Sequence, residues 1–400
     1  MNTQEYLSLP RNFATIAIHS AQEPEKWEHL SVVPPIVTST IFKHLSPAVP
    51  KLYAYGRAGN PSRNTLEECL AAIEGAKHGL CFASGLGSMT TVLGLFASGD
   101  HIICSDNLFW GTANLFDKVG KPLGLDFTFT DVTDVKEVEK CVKTNTKMIW
   151  IETPTNPTLT VIDIRAVSKI AEKHKIILAV DNTFLTPYFQ RPLELGADLS
   201  VYSLTKYMNG HSDVIMGAIV LNDETLHTKL RFLQNAMGIV PSPFDSAQVN
   251  RSLKTLALRM QQHSKNALAV AKFLEGHPNV DKVLHPADIL LFFYQGLPSH
   301  PQHTLFKKQT AGHSGMVSFY IKGDLQQTKR FLQSLKVFIL TESLGGYESL
   351  AEAPSIMTHA SVPEDQKKKI GILDNLVRLS VGLEDVDDLI RDLNQALEIK

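Results

Sequence analysis

The chain has 400 residues, 44% of them apolar, and 39 Lys and Arg stand against 41 Asp and Glu for a formal net charge of −2. That size suits two domains, or one large and one small, each with a full core. The near-neutral balance gives no electrostatic case for nucleic acid or an anionic membrane, and no uncharged apolar run approaches the roughly 18 residues of a membrane span.

Residues 1–60 read as an extended arm rather than a domain. Pro34, Pro35, Pro47, Pro50 and Pro61 break any long helix, and the apolar stretch from Val32 to Val37 needs burial on something. Met1 to Pro10 holds Glu5 and no apolar core of signal-peptide length. Cys69, Cys81, Cys104 and Cys141 show no metal-like spacing, no metal site is expected, and a reduced, cytoplasmic setting fits.

A helix is predicted from Ser62 or Asn64 to Gly75, with Leu66, Leu70 and Ile73 at helical spacing. Gly79 to Met89 then reads as a short strand, a small-residue turn through Ser84, Gly85, Leu86 and Gly87, and a helix start. Such a turn offers backbone N–H groups and a positive helix end to a phosphate.

Helical and strand patterns alternate beyond that point. Val135 to Val142 is helical, and Met148 to Ile151 is a buried strand ending at Glu152, Thr153 and Asn156. Asp163 to His174 is a helix with Ile164, Val167, Ile170 and Ala171 inward. Lys175 to Asp181 is a continuous apolar run ending in a carboxylate, the pattern of a strand buried on both faces of a parallel sheet. An Asp at such a strand end points at the ligand crevice of an open α/β sheet, unless it only forms a turn with Asn182 and Thr183.

Leu199, Val201 and Tyr202 lead to Ser203-Leu204-Thr205-Lys206-Tyr207-Met208-Asn209-Gly210-His211-Ser212-Asp213. A strand end carrying Ser-x-Thr-Lys can present an amine to a phosphorylated aldehyde while the hydroxyls take phosphate oxygens. A solvated surface lysine is the ordinary alternative. Glu224 to about Gly276 is amphipathic and helical. The smaller domain is expected from residue 258, with strands at Met316–Ile321 and Val377–Val381 and a last helix from Asp385 to Leu397. Arg378 sits inside an apolar strand, where a buried guanidinium requires a carboxylate partner.

These stretches, together with Glu152 to Pro157, Glu342 to Gly346 and Tyr347 to Leu350, resemble the transsulfuration enzymes that use pyridoxal phosphate. The resemblance runs from Phe13 to the last helix and is strongest toward the γ-cleaving branch. It implies an α/β fold of the aspartate-aminotransferase-like (fold type I) kind, with a mostly parallel sheet and a smaller C-terminal α/β domain. The implied division is an arm (1–60), a cofactor-binding large domain (61–257) and a small domain (258–400).

The resemblance also implies residue roles. Lys206 would hold pyridoxal 5'-phosphate and Asp181 its ring nitrogen. Ser84, Gly85, Leu86, Ser203 and Thr205 would hold the phosphate, and Asn156 would face the phenolic oxygen. Tyr55 and Arg57 would reach the phosphate of a neighbouring subunit, giving a homotetramer with composite active sites, and Arg57 would lie close to substrate as well. Arg378 would take the substrate's α-carboxylate, with Glu342 and Ser343 along the rest of the amino acid.

One segment departs from the family. Phe109 stands where a Tyr is usual, Trp110 where a Gly is usual, and Asn114 where the γ-lyases carry an Arg. Phe109 keeps a stacking face but loses the hydroxyl that moves protons, and Asn114 cannot supply a charged fork. The expected reaction is cleavage of cystathionine to cysteine, 2-oxobutanoate and ammonia. The alternatives are a synthase or a methionine-cleaving enzyme on the same scaffold, or a weakly catalytic cofactor-binding subunit. Ala287 to Gln295 interrupts a stretch that is continuous in the family and is expected to be a gene-model or splicing artefact.

Overall fold

The computed structural model describes residues 6–286 and 302–399; the expected insert at 287–295 lies outside the described residues. Continuous apolar runs become the middle of a seven-stranded sheet because both of its faces are covered. After a short N-terminal ribbon, β1 (His44–Ser46) and β2 (Val49–Pro50), come β3 (His78–Phe82), β4 (His101–Ser105), β5 (Asp126–Thr130) and β6 (Thr146–Glu152). β7 (Ile177–Asp181), β8 (Leu199–Ser203) and β9 (Gly217–Leu221) complete the set. The order across the sheet is β3-β9-β8-β7-β6-β4-β5, parallel except that β9 runs antiparallel to both neighbours.

Alternate residues of the central strands enter different cores. Met148, Trp150, Ala179, Leu199 and Val201 pack on one face, and Ile149, Ile151, Leu178 and Val180 on the other. That two-sided burial is why these strands read as unbroken apolar runs. The α/β fold with a mostly parallel sheet is the one expected.

The helix before β3 runs Pro61–Glu74. Its N-cap is Asn60, whose side chain accepts from the Arg63 N–H at 3.2 Å, with Pro61 at the first helical position. The start is therefore earlier than the predicted Ser62 or Asn64. The amphipathic region after β9 divides into three helices, Glu224–Met237, Pro243–Leu253 and Leu256–Glu275. The last begins with Leu256, Ala257 and Met260 in the core under the large sheet and continues with Ala267, Val270, Ala271 and Leu274 in the core of a second sheet. The 257/258 division falls in its first turn, so one helix carries the chain from one sheet to the other.

The second sheet comprises β10 (Val280–Leu284), β11 (Met316–Ile321), β12 (Ile339–Leu340), β13 (Leu350–Glu352) and β14 (Leu376–Ser380), ordered β10-β11-β14-β13-β12. Val377 and Leu379 of β14 join its core. Period-2 alternation sends Arg378, between them, to the opposite face.

The N-terminal segment is not uniformly an arm. Phe13 and Ala17, on the helix Phe13–His19, are buried, and Phe13 meets Tyr188 edge to face at 5.1 Å. Farther on, Leu30, Val32, Val33, Ile36, Ile41, Leu45, Leu52 and Tyr55 are exposed. Among the described residues, no helix is long and apolar enough to cross a membrane.

Candidate active site

The carboxyl ends of β6, β7 and β8 open onto one cavity of about 390 Å³, closed from the other side by residues of the second sheet and its loops. Lys206 lies in the turn after β8, and that turn is fixed from several directions. The Lys206 N–H donates to the Ser203 carbonyl at 3.2 Å, and the Lys206 carbonyl accepts from the Gly210 N–H at 2.7 Å. Gly210 has φ +70°, which a side chain would strain, and the buried Arg259 donates to the Tyr207 carbonyl at 2.6 Å. The Thr205 hydroxyl accepts from the Met216 N–H at 3.0 Å.

Lys206 Nζ donates to Ser343 Oγ at 2.7 Å. Burial, with the Arg378 charge beside it, lowers the amine to about 8. The neutral amine is the form that attacks a carbonyl, and the lowered value makes it accessible near neutral pH.

Asp181 and Glu152 are register partners at the ends of β7 and β6, and both are buried. Glu152 Oε2 accepts from the Phe109 N–H at 2.9 Å and Oε1 from the Asn156 N–H at 2.9 Å. Asp181 Oδ1 accepts from the Thr183 N–H at 3.0 Å, and Thr183 Oγ1 accepts from the Ser203 N–H at 2.8 Å. Burial pushes both carboxyls above their ordinary range, and the Asp181 charge pushes Glu152 further. A protonated ring nitrogen beside Asp181 would offset that cost.

Ser84 N-caps the helix Gly85–Leu93, its hydroxyl accepting from the Gly87 N–H at 2.9 Å. The amides of Gly85 and Leu86, at the first two helical positions, have no intrahelical acceptor and suit an anion. A Cβ on Gly85 would come within 3.1 Å of the Ser203 Cβ. Glycine there lets the helix end and the Ser203 strand end close on one small group.

On the opposite wall the buried Arg378 is ion-paired through Nη1 with Glu352 Oε1 at 2.8 Å and donates from Nη1 to Asn156 Oδ1 at 2.9 Å. Its Nη2 donates to the Ser343 carbonyl at 2.6 Å. The carboxylate partner that the sequence demanded is Glu352, opposite Arg378 on the neighbouring strand.

The cavity gathers Gly85, Leu86, Phe109, Asn156, Asp181, Ser203, Thr205, Lys206, Glu342, Ser343 and Arg378. Three expected residues are elsewhere. Asn114 lies on the short helix Trp110–Leu115 and is not part of the cavity wall. Tyr55 and Arg57 are exposed and outside this chain's cavity, the guanidinium 5.7 Å from the Tyr55 ring centre.

Glu152, Thr183 and Thr358 line the cavity without having been singled out as site residues. Glu152 carried the same signal as Asp181, a carboxylate ending a buried strand. Among the described residues, one group has the composition to hold a metal ion, His78, Glu224 and His227. It involves the start of β3, away from the cavity. Its two imidazoles stack 4.0 Å apart at 4°, so no ion can lie in both ring planes at once.

A helix end for a phosphate, an amine for an aldehyde, a carboxylate for a ring nitrogen and a guanidinium for a carboxylate together fit pyridoxal phosphate and an amino acid. Residues 14–398 match the family described as Cys/Met metabolism PLP-dependent enzyme, and the chain belongs to that family, with pyridoxal phosphate as its cofactor. It is 54% identical to the cystathionine gamma-lyase of Homo sapiens over 398 residues, covering 99% of this chain and 96% of the human one. It is 48% identical to the cystathionine gamma-lyase of Dictyostelium discoideum over 395 residues, covering 98% and 100%. Among solved structures, metB from Corynebacterium glutamicum superposes with a TM-score of 0.91 at 42% identity, over 96% of this chain and 97% of that one.

Proposed function

We propose that the protein is a pyridoxal-phosphate-dependent lyase that takes L-cystathionine and water to L-cysteine, 2-oxobutanoate and ammonia. The observation that carries this reading is the convergence of the Lys206 amine, the Asp181 carboxylate and the Arg378 guanidinium on one cavity, in a chain 48–55% identical to proteins with that activity in their names.

Bound pyridoxal phosphate supplies an electron-accepting ring that makes the bonds at the substrate's Cα labile. The chain's own residues do the rest. Lys206 would hold the cofactor through its amine, and that amine, 2.7 Å from Ser343 Oγ, would serve as the base and acid that moves protons at Cα and Cβ of the substrate. Ser343 Oγ aims Nζ. Asp181 keeps the proton on the ring nitrogen, with Thr183 holding its carboxylate.

Gly85, Leu86, Ser203 and Thr205 hold the phosphate, Asn156 the phenolic oxygen, and Arg378 the substrate's α-carboxylate. Glu342 faces the distal half of the substrate. Phe109 lines the cavity without a hydroxyl, so the proton transfers fall on Lys206.

We assign Tyr55 and Arg57 to the cofactor phosphate of a second copy, within a homotetramer. The exposed apolar arm that carries them supports this, because such a surface needs cover. A cytoplasmic setting is supported by four free cysteines, three of them buried.

The reading is tested by incubating the holoenzyme with L-cystathionine and quantifying both carbon products. Cysteine and 2-oxobutanoate in equal amounts are expected. Homocysteine with pyruvate, or no product from protein that still binds the cofactor, would overturn it.

A further inference from the structure

Arg378 occupies the central strand of the small sheet, with Ser318 on β11 and Glu352 on β13 as its direct cross-strand neighbours. Glu352 is fully buried. A guanidinium has five N–H donors in a planar fork. Nη1 is ion-paired with Glu352 Oε1 at 2.8 Å and donates one N–H to Asn156 Oδ1, and Nη2 donates one to the Ser343 carbonyl. Nε has no partner.

With Glu352 and Asn156 against Nη1, the donors left over include the Nε–H and a second Nη2–H. Nε and Nη2 form one edge of the planar fork, and that edge matches the two oxygens of a carboxylate. Glu352 secures the opposite edge. Its Oε1 also accepts from the Thr358 hydroxyl at 3.0 Å, and Thr358 lines the cavity. A long side chain with several rotamers is thereby held in one.

We propose that Glu352 is a positioning residue for substrate recognition, acting through Arg378. By occupying Nη1 it leaves the Nε/Nη2 edge as the receptor for the α-carboxylate of the amino acid. The inference rests on the functional reading above for the ligand class, an L-α-amino acid.

The test titrates the holoenzyme with L-serine and with L-serinamide, following the visible absorbance of the bound cofactor, in the natural protein, Glu352→Ala and Glu352→Gln. Serine carries the carboxylate and has no γ-sulfur to lose, so binding is read apart from γ-cleavage. The natural protein is expected to prefer serine by about tenfold or more, since a charge-assisted bidentate contact is at stake. Glu352→Ala should weaken serine by about tenfold and serinamide by less than about threefold. Glu352→Gln, which keeps an amide oxygen's dipole against Nη1 but loses the charge, should fall between.

A purely structural role would weaken both ligands alike. That result, or an undiminished serine preference in Glu352→Ala, overturns the proposal. Should the alanine variant fail to fold, an undiminished preference in Glu352→Gln does the same. Should the natural protein bind serine in this Glu352-dependent way yet leave cystathionine intact, the lyase reading fails and the positioning role stands.

Discussion

The cavity wall and the N-terminal arm treat apolar surface in opposite ways. β6, β7 and β8 bury both faces and bring Glu152, Asp181 and Lys206 to one place, each held by hydrogen bonds within the chain. Residues 30–57 leave Leu30, Val32, Val33 and Leu52 between 65% and 80% exposed, and Tyr55 and Arg57 of that stretch touch nothing in this chain's cavity. A single chain thus gathers Glu152, Asp181 and Lys206 on one buried wall, while the arm leaves apolar surface uncovered, as the proposed role in a second copy's site requires.

The largest effect should come from breaking the self-contained half. Lys206→Ala removes both the cofactor's anchor and the proton carrier, and cystathionine turnover should fall by about a thousandfold or more. The visible absorbance of the lysine-bound cofactor should vanish with it. Residual activity within about tenfold of the natural protein would place the chemistry elsewhere.

Breaking the arm should cost less. On the proposed role of Arg57 at a second copy's phosphate, Arg57→Ala should loosen cofactor affinity, read by titrating the cofactor-free protein, by roughly 10- to 100-fold. An unchanged affinity would leave the arm with an architectural role only.

The third effect is a pH dependence confined to the wall. The Lys206 amine lies at about 8, below its ordinary 10.5, because burial and Arg378 disfavour its charge. Only the neutral amine attacks an aldehyde. The rate of cofactor uptake by cofactor-free protein should therefore climb as pH rises toward about 8 and level off above it. A rate still rising at pH 10 would indicate an unperturbed lysine.

The smallest effect is expected at Phe109. Its ring lines the cavity and its backbone N–H is held by Glu152. Phe109→Tyr adds a hydroxyl that can share proton transfer but leaves Lys206 in charge, so kcat should rise by less than about tenfold. A rise of 100-fold or more would show that the natural chain is catalytically impaired by this residue.

The same contrast explains what the sequence disclosed. Lys206 and Asp181 were legible because Asp181 ends, and Lys206 follows in the turn after, an apolar strand buried on both sides, which directs polar residues there to the crevice. Arg378 was legible because a guanidinium in an apolar strand needs a partner. The identity of that partner was not, since Glu352 is 26 residues away and only strand register places it opposite. Glu152 went unassigned because its partners are backbone amides, which leave no mark in side-chain spacing. The helix start at Asn60 was misplaced because Ser62 and Asn64 carry equally good capping groups, and Pro61 at the first turn decides between them. The anchoring of the N-terminal segment by Phe13 was hidden for the reverse reason. A short apolar helix and an extended apolar arm look alike until one of them finds a core.

The most direct test of a site divided between two copies is to mix Lys206→Ala and Arg57→Ala subunits, let them exchange, and assay cystathionine cleavage. The first variant lacks the anchor but keeps the arm, and the second keeps the anchor but lacks the arm. Mixed assemblies should contain sites that pair an intact Lys206 with an intact Arg57 and should recover activity well above the sum of the separate variants. Activity equal to that sum, with exchange verified, would contradict the shared site.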